Sequence, residues 1–142
     1  MSAVHRLSTV SFSVPGQPVA WGRARVSKSG GFFTPEKTRR HENMVKSYAQ
    51  RAMNGELPFG GPVQIFIEAY MEIPKSWSIR KKEYAHRGLI LPITKPDLDN
   101  ITKAVLDALN KTVFVDDSQI VNLLAQKRYS NVPQTTISVI AL

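Results

Sequence analysis

Asp97 and Asp99, in the run Lys95-Pro96-Asp97-Leu98-Asp99-Asn100-Ile101-Thr102-Lys103, are followed later in the chain by the pair Asp116-Asp117. Carboxylates are the donors that hard divalent cations prefer, and on an extended segment a spacing of two directs Asp97 and Asp99 to one side. Magnesium held there would serve phosphodiester hydrolysis: it polarises the scissile phosphate, helps activate water and stabilises charge on the leaving oxygen. Lys103 lies four residues after Asp99, one helical turn on, where its ammonium could reach a phosphate. The same residues also admit a purely structural role. Both aspartates suit capping or a turn, and the row Asp99, Lys103, Asp107 suits intrahelical ion pairing. Asp116 and Asp117 are adjacent, so their side chains diverge. Asp117 is favoured as the third ligand and Asp116 as an outer-shell group or helix cap, a choice that spacing does not settle.

These acids stand in a basic chain. The 142 residues carry 19 Lys and Arg against 11 Asp and Glu, a formal net charge of +8, yet residues 97–117 hold five of the eleven acids. Basic residues concentrate on either side of a central region: eight Lys or Arg against two Glu in 20–51, and six against one in 75–95. Folded onto one surface, the two blocks could span a nucleic-acid backbone; taken singly, each reads as a solvated face. The absence of cysteine excludes disulfides, thiolate metal sites and cysteine nucleophiles. His5, His41 and His86 are too scattered for a zinc signature, and none is assigned as general base. No stretch has the length of a membrane span and the start lacks a secretion-signal pattern, so a soluble, cytoplasmic protein is expected.

The elements that must position these residues follow from periodicity. Residues 7–14 alternate as a one-faced strand ended by Pro15-Gly16, and Trp21 to Gly31 reads as a basic loop or hairpin arm with a short strand at Phe32-Phe33. Thr34 and Pro35 resemble a helix start, and Met44, Val45, Tyr48, Ala49, Ala52 and Met53 carry the helix to an Asn54-Gly55 stop. Val63 to Met71 alternates as a strand covered in part on both faces, and Ser76 is expected to cap a basic helix from Trp77 to His86. Asp99 or Asn100 is expected to cap a third helix, whose stripe is Ile101, Ala104, Val105, Ala108 and Leu109. Residues 119–129 and 135–140 close the chain as two strands, read as an antiparallel pair. The expected architecture is α+β: one small domain, 1–142, with a mixed β-sheet packed against helices.

The pattern Asp97-Leu98-Asp99-Asn100, Lys103 and Asp116-Asp117 resembles the RusA family of Holliday-junction resolvases, endonucleases often encoded by phages and prophages. The resemblance extends to the order of elements through most of the chain. It implies a small mixed α/β subunit, a homodimer, magnesium dependence and paired incisions in four-way DNA. It assigns Asp97, Asp99 and Asp117 to the acidic centre and Lys103 as the catalytic lysine. The basic segment around Trp21 to Arg25 differs from the asparagine-rich turn of some members, which points to different substrate positioning.

The resulting expectation is a magnesium-dependent endonuclease that cuts branched DNA by water attack, with Arg23, Arg25, Lys28, Arg39, Arg40, Arg80, Lys81 and Lys82 on the DNA backbone. Trp21, Phe32 or Phe33 could stack on exposed bases at a branch point, although packing is the commoner role of such residues. Two alternatives stand beside it: a non-catalytic basic DNA-binding module, and a nuclease preferring flaps, forks or other branched forms.

Overall fold

A computed structural model describes residues 8–20, 30 and 36–142 in full, and the backbone alone of 25–26 and 32–33. Its main sheet is built from β1 (Thr9–Pro15), β4 (Val63–Glu72), β5 (Ile120–Ser130) and β6 (Gln134–Ala141), in the order β1-β6-β4-β5. β6 is antiparallel to both its neighbours, and β5 runs parallel to β4, so the sheet is mixed. β2 (Arg25–Val26) and β3 (Phe32–Phe33) pair antiparallel, as a hairpin arm requires.

The closing strands do not pair with each other. β4 lies between them, and the link 131–133 passes the end of β4, where the Gly16 amide donates to the Pro133 carbonyl at 3.1 Å. The physical reason is burial. Val63, Ile65, Ile67, Ala69 and Met71 give β4 one wholly apolar face, and that strand takes the centre of the sheet. β5 bears Asn122, Gln126, Lys127 and Arg128 among its apolar residues and takes the edge.

Among the described residues, three α-helices complete the fold: α1 (Glu36–Met53), α2 (Ile79–His86) and α3 (Leu98–Leu109). α1 ends where Asn54 and Gly55 enter the left-handed region, at φ 48° and 82°. α2 begins two residues later than expected, because Ser78 rather than Ser76 accepts the Lys81 amide. The Thr34-Pro35 start expected for α1 lies outside the described residues. α3 buries Ile101, Ala104, Val105, Ala108 and Leu109, the full stripe read from sequence, along with Thr102.

The direction of α3 sets the position of everything that follows. Its first turns pack Ile101 against Ala69, Met71 and Tyr129, at the C-terminal ends of β4 and β5. Its last turns pack Val105, Ala108 and Leu109 into the main core with Val63, Ile65 and Phe114. α3 therefore runs antiparallel to β4 and β5. Burial of each large aliphatic side chain in this stripe contributes about 1.5–3 kcal/mol, so the helix is fixed by packing and its ends are held where the sheet dictates.

Candidate active site

Pro96 leads into α3, and Asp97 takes the N-cap position with extended backbone, φ −69° and ψ 142°. The cap is thus neither Asp99 nor Asn100, and the two carboxylates do not lie on a shared extended segment: Asp99 is inside the first helical turn. Both still sit at the helix N-terminus, where unpaired amides and the helix dipole favour negative charge, whether carboxylate or phosphate. Asp97 makes no side-chain capping hydrogen bond. Its carboxylate is half exposed and meets Lys95 Nζ at 3.0 Å. An N-cap aspartate that does not cap leaves its oxygens for another partner.

Asp99, Lys103 and Asp107 lie exposed along α3 at helical spacing, so Lys103 follows Asp99 by one turn as expected. The turn before the helix is tied down from below. Lys127 on β5 donates to the Thr94 carbonyl at 2.7 Å and to the Pro96 carbonyl at 2.9 Å. Thr102 holds the first helical turn by donating to the Leu98 carbonyl at 2.8 Å.

Asp116 and Asp117 occupy the other end. Beyond α3, Phe114 is wholly buried and bridges to Phe59 and Asn110, which carries the chain to the N-terminal ends of β4 and β5. A single 3-10 turn, Asp117–Gln119, then leads into β5. Asp116 caps it, accepting the Ser118 amide at 3.0 Å, and these hydrogen bonds hold its carboxyl below the ordinary aspartate range. Gln119 completes the reciprocal cap by accepting the Asp116 amide at 2.8 Å. It also donates to the carbonyls of Phe59 and Gly61 at 2.7 and 2.8 Å. Of the two roles left open for Asp116, the structure displays the cap. Asp117 is exposed.

Within one chain, Asp117 is separated from Asp97 and Asp99 by the length of the sheet. Asp117 leads into Ile120, in register with Val63, whereas the Pro96 carbonyl before Asp97 is held by Lys127, in register with Ala69; Val63 and Ala69 are about 20 Å apart along β4 at about 3.3 Å per residue. Among the described residues, no three His, Cys, Asp or Glu side chains converge closely enough to hold an ion. Asp97 and Asp99 nonetheless supply hard oxygen donors suited to magnesium, with the Asp97 carboxylate unused by its helix.

Of the expected DNA contacts, Arg39 and Arg40 are exposed on the first turns of α1, and Arg40 pairs with Glu36 at 2.9 Å. Arg80, Lys81 and Lys82 lie on α2, with Arg80 and Lys81 exposed. Lys81 sits over the Trp77 ring, 4.0 Å from its centroid, and Trp77 meets Tyr129 edge-on at 5.2 Å. Tyr129 in turn packs on Ile101, so α2 stands at the end of the sheet that bears Asp97 and Asp99. Trp21, Arg23 and Lys28 lie outside the described residues, and for Arg25, Phe32 and Phe33 only the backbone is described.

Lys127 and Gln119 were not singled out from sequence. A lysine in a strand ordinarily reads as a solvated residue, and only the topology puts this one beneath the Pro96 turn. Gln119 had a legible signal, since Asp116-Asp117-Ser118-Gln119 has the spacing of a capping box.

Residues 15–140 match the family described as endodeoxyribonuclease RusA. An uncharacterized Bacillus subtilis (strain 168) protein, YqaN, is 38% identical over 138 residues, covering 94% of this chain and 96% of its own length.

Proposed function

The chain belongs to the RusA family of endodeoxyribonucleases, and from that premise we propose that it is a magnesium-dependent nuclease that resolves four-way DNA junctions as a homodimer. The observation that carries the reading is the Asp97 carboxylate, which stands at a helix N-terminus beside Asp99 without capping the helix. Asp97 and Asp99 hold the cation, and Lys103, one turn along, stabilises charge developing on the phosphate. Magnesium, when bound, supplies Lewis-acid polarisation of the phosphate. The helix N-terminus contributes amides toward the same anion, and basic residues of α1 and α2 position the backbone.

The third carboxylate comes from a second copy. β5 is an edge strand with Val121, Leu123 and Leu124 exposed at 62%, 42% and 52%, a surface that isolated proteins rarely leave open. Two β5 strands paired antiparallel about a twofold axis lay the start of one strand beside the end of the other. The partner's Asp117 then approaches Asp97 and Asp99. Exposed Leu91 and Ile93, just before the Lys127-bound turn, come to face the other copy's Val121 and Leu123. Two such centres on one dimer serve the paired incisions that a four-way junction needs.

The test uses labelled four-way junction and matched linear duplex, each with magnesium or chelator, against the parental protein and Asp99→Asn. Symmetrical magnesium-dependent cuts in the junction by the parental protein, lost in the variant, are the expected result. Binding without cuts in every condition contradicts the proposal and favours a DNA-binding module; cuts preferring a flap or fork change the substrate but not the chemistry.

A further inference from the structure

We propose that Lys127 is a positioning residue for the acidic centre: it fixes the turn that presents Asp97 and Asp99, and so sets metal affinity and turnover without touching DNA. The proposal rests on the reading of those two aspartates as metal ligands. Lys127 lies on β5 in register with Ala69 of β4, so its backbone is held by the sheet. Its side chain shares a face with Tyr129, the face against which α3 packs. From there its ammonium donates to two carbonyls on either side of Lys95, those of Thr94 and Pro96, at 2.7 and 2.9 Å. Pro96 directly precedes Asp97, so the second bond ends one residue from the carboxylate pair.

Two hydrogen bonds from one charged donor to neighbouring carbonyls define where that turn lies above the sheet. The first helical turn is held from within by the Thr102 bond to Leu98, and the segment before it by Lys127. A ligand pair displaced by about 1 Å costs heavily in rate, and residues that orient metal ligands typically change affinity or activity by about 10–100-fold when replaced. Methionine matches the unbranched apolar stem of Lys127 as far as Cε but lacks the ammonium and cannot donate. Arginine keeps the donors in another geometry.

The experiment compares the parental protein, Lys127→Met and Lys127→Arg by three readouts. The first is Mn2+ affinity of the DNA-free protein by electron paramagnetic resonance; the second is hydrogen exchange of residues 94–101 without metal. The third is junction cleavage as a function of magnesium. For Lys127→Met the account predicts Mn2+ affinity lowered about tenfold, faster exchange in 94–101, and a raised magnesium requirement with reduced kcat. Junction affinity in chelator stays within about threefold, and Lys127→Arg recovers part of each loss. Parental Mn2+ affinity and parental exchange in a folded Lys127→Met overturn the proposal. If Lys127→Met does not fold, the arginine variant decides: parental values for all three readouts overturn it, and smaller losses in the same directions support it. Should the parental protein itself fail to cut any junction, the nuclease reading fails, while metal affinity and exchange still judge Lys127.

Discussion

Two aspartate pairs stand at two helix starts, and only one of the two N-cap aspartates is spent on structure. Asp116 and Asp97 both occupy N-cap positions with extended backbone. Asp116 satisfies its turn, accepting the Ser118 amide while Gln119 closes the reciprocal bond. Asp97 heads a much longer helix and makes no such bond, facing Lys95 instead. A helix end left uncapped gives up about 1 kcal/mol that a capping bond supplies, and a site that needs its carboxylate elsewhere is where that loss is tolerated. Structure therefore claims Asp116 and leaves the Asp97 carboxylate without a bond to its own helix.

The contrast is broken most sharply by removing the Asp97 carboxylate and, separately, the bonds that build the Asp116 cap. Asp97→Asn is expected to lower magnesium-dependent junction cleavage by at least about 100-fold with little change in thermal stability, since no capping bond is lost. A large drop in stability with cleavage intact would reverse the assignment. Gln119→Ala should act the opposite way. It removes two bonds to the Phe59 and Gly61 carbonyls and one from the Asp116 amide, costing about 1–2 kcal/mol in urea unfolding. It also loosens Asp117, so kcat should fall more than junction affinity.

Asp116→Ala is the smallest change, and its signature is pH. The Ser118 hydrogen bonds lower the folded pKa of Asp116, so the folded state favours the charged carboxylate. Its contribution is complete above the ordinary aspartate value and is lost as pH falls through the lowered folded value. Parental and variant proteins should therefore converge in stability under acid, and a difference that persists there would contradict the cap.

Much of this was legible in the chain. The α3 stripe was, because five apolar residues at helical spacing have no competing use. Its start was not, since Asp97, Asp99 and Asn100 are all good caps and only the backbone at Asp97 decides among them. Two serines around Trp77 posed the same ambiguity for α2. The order of the last strands escaped for a different reason. A short link favours a hairpin locally, but β4 has the more completely buried face and takes the position between them. The acidic residues of the candidate site stand out in the sequence as a set. Their division between two ends of the sheet depends on the direction of α3 against β5, a tertiary fact that spacing does not contain.

The central claim is that one centre draws Asp97 and Asp99 from one chain and Asp117 from another. Subunit mixing tests it directly: Asp99→Asn and Asp117→Asn proteins, each inactive alone, are mixed under conditions where subunit exchange is verified by labelled chains. In a shared-centre heterodimer, one centre loses both carboxylates and the other keeps all three, so the mixture should recover magnesium-dependent nicking of a single junction strand. Verified exchange with no recovery would contradict the account and require each centre to be complete within its own chain.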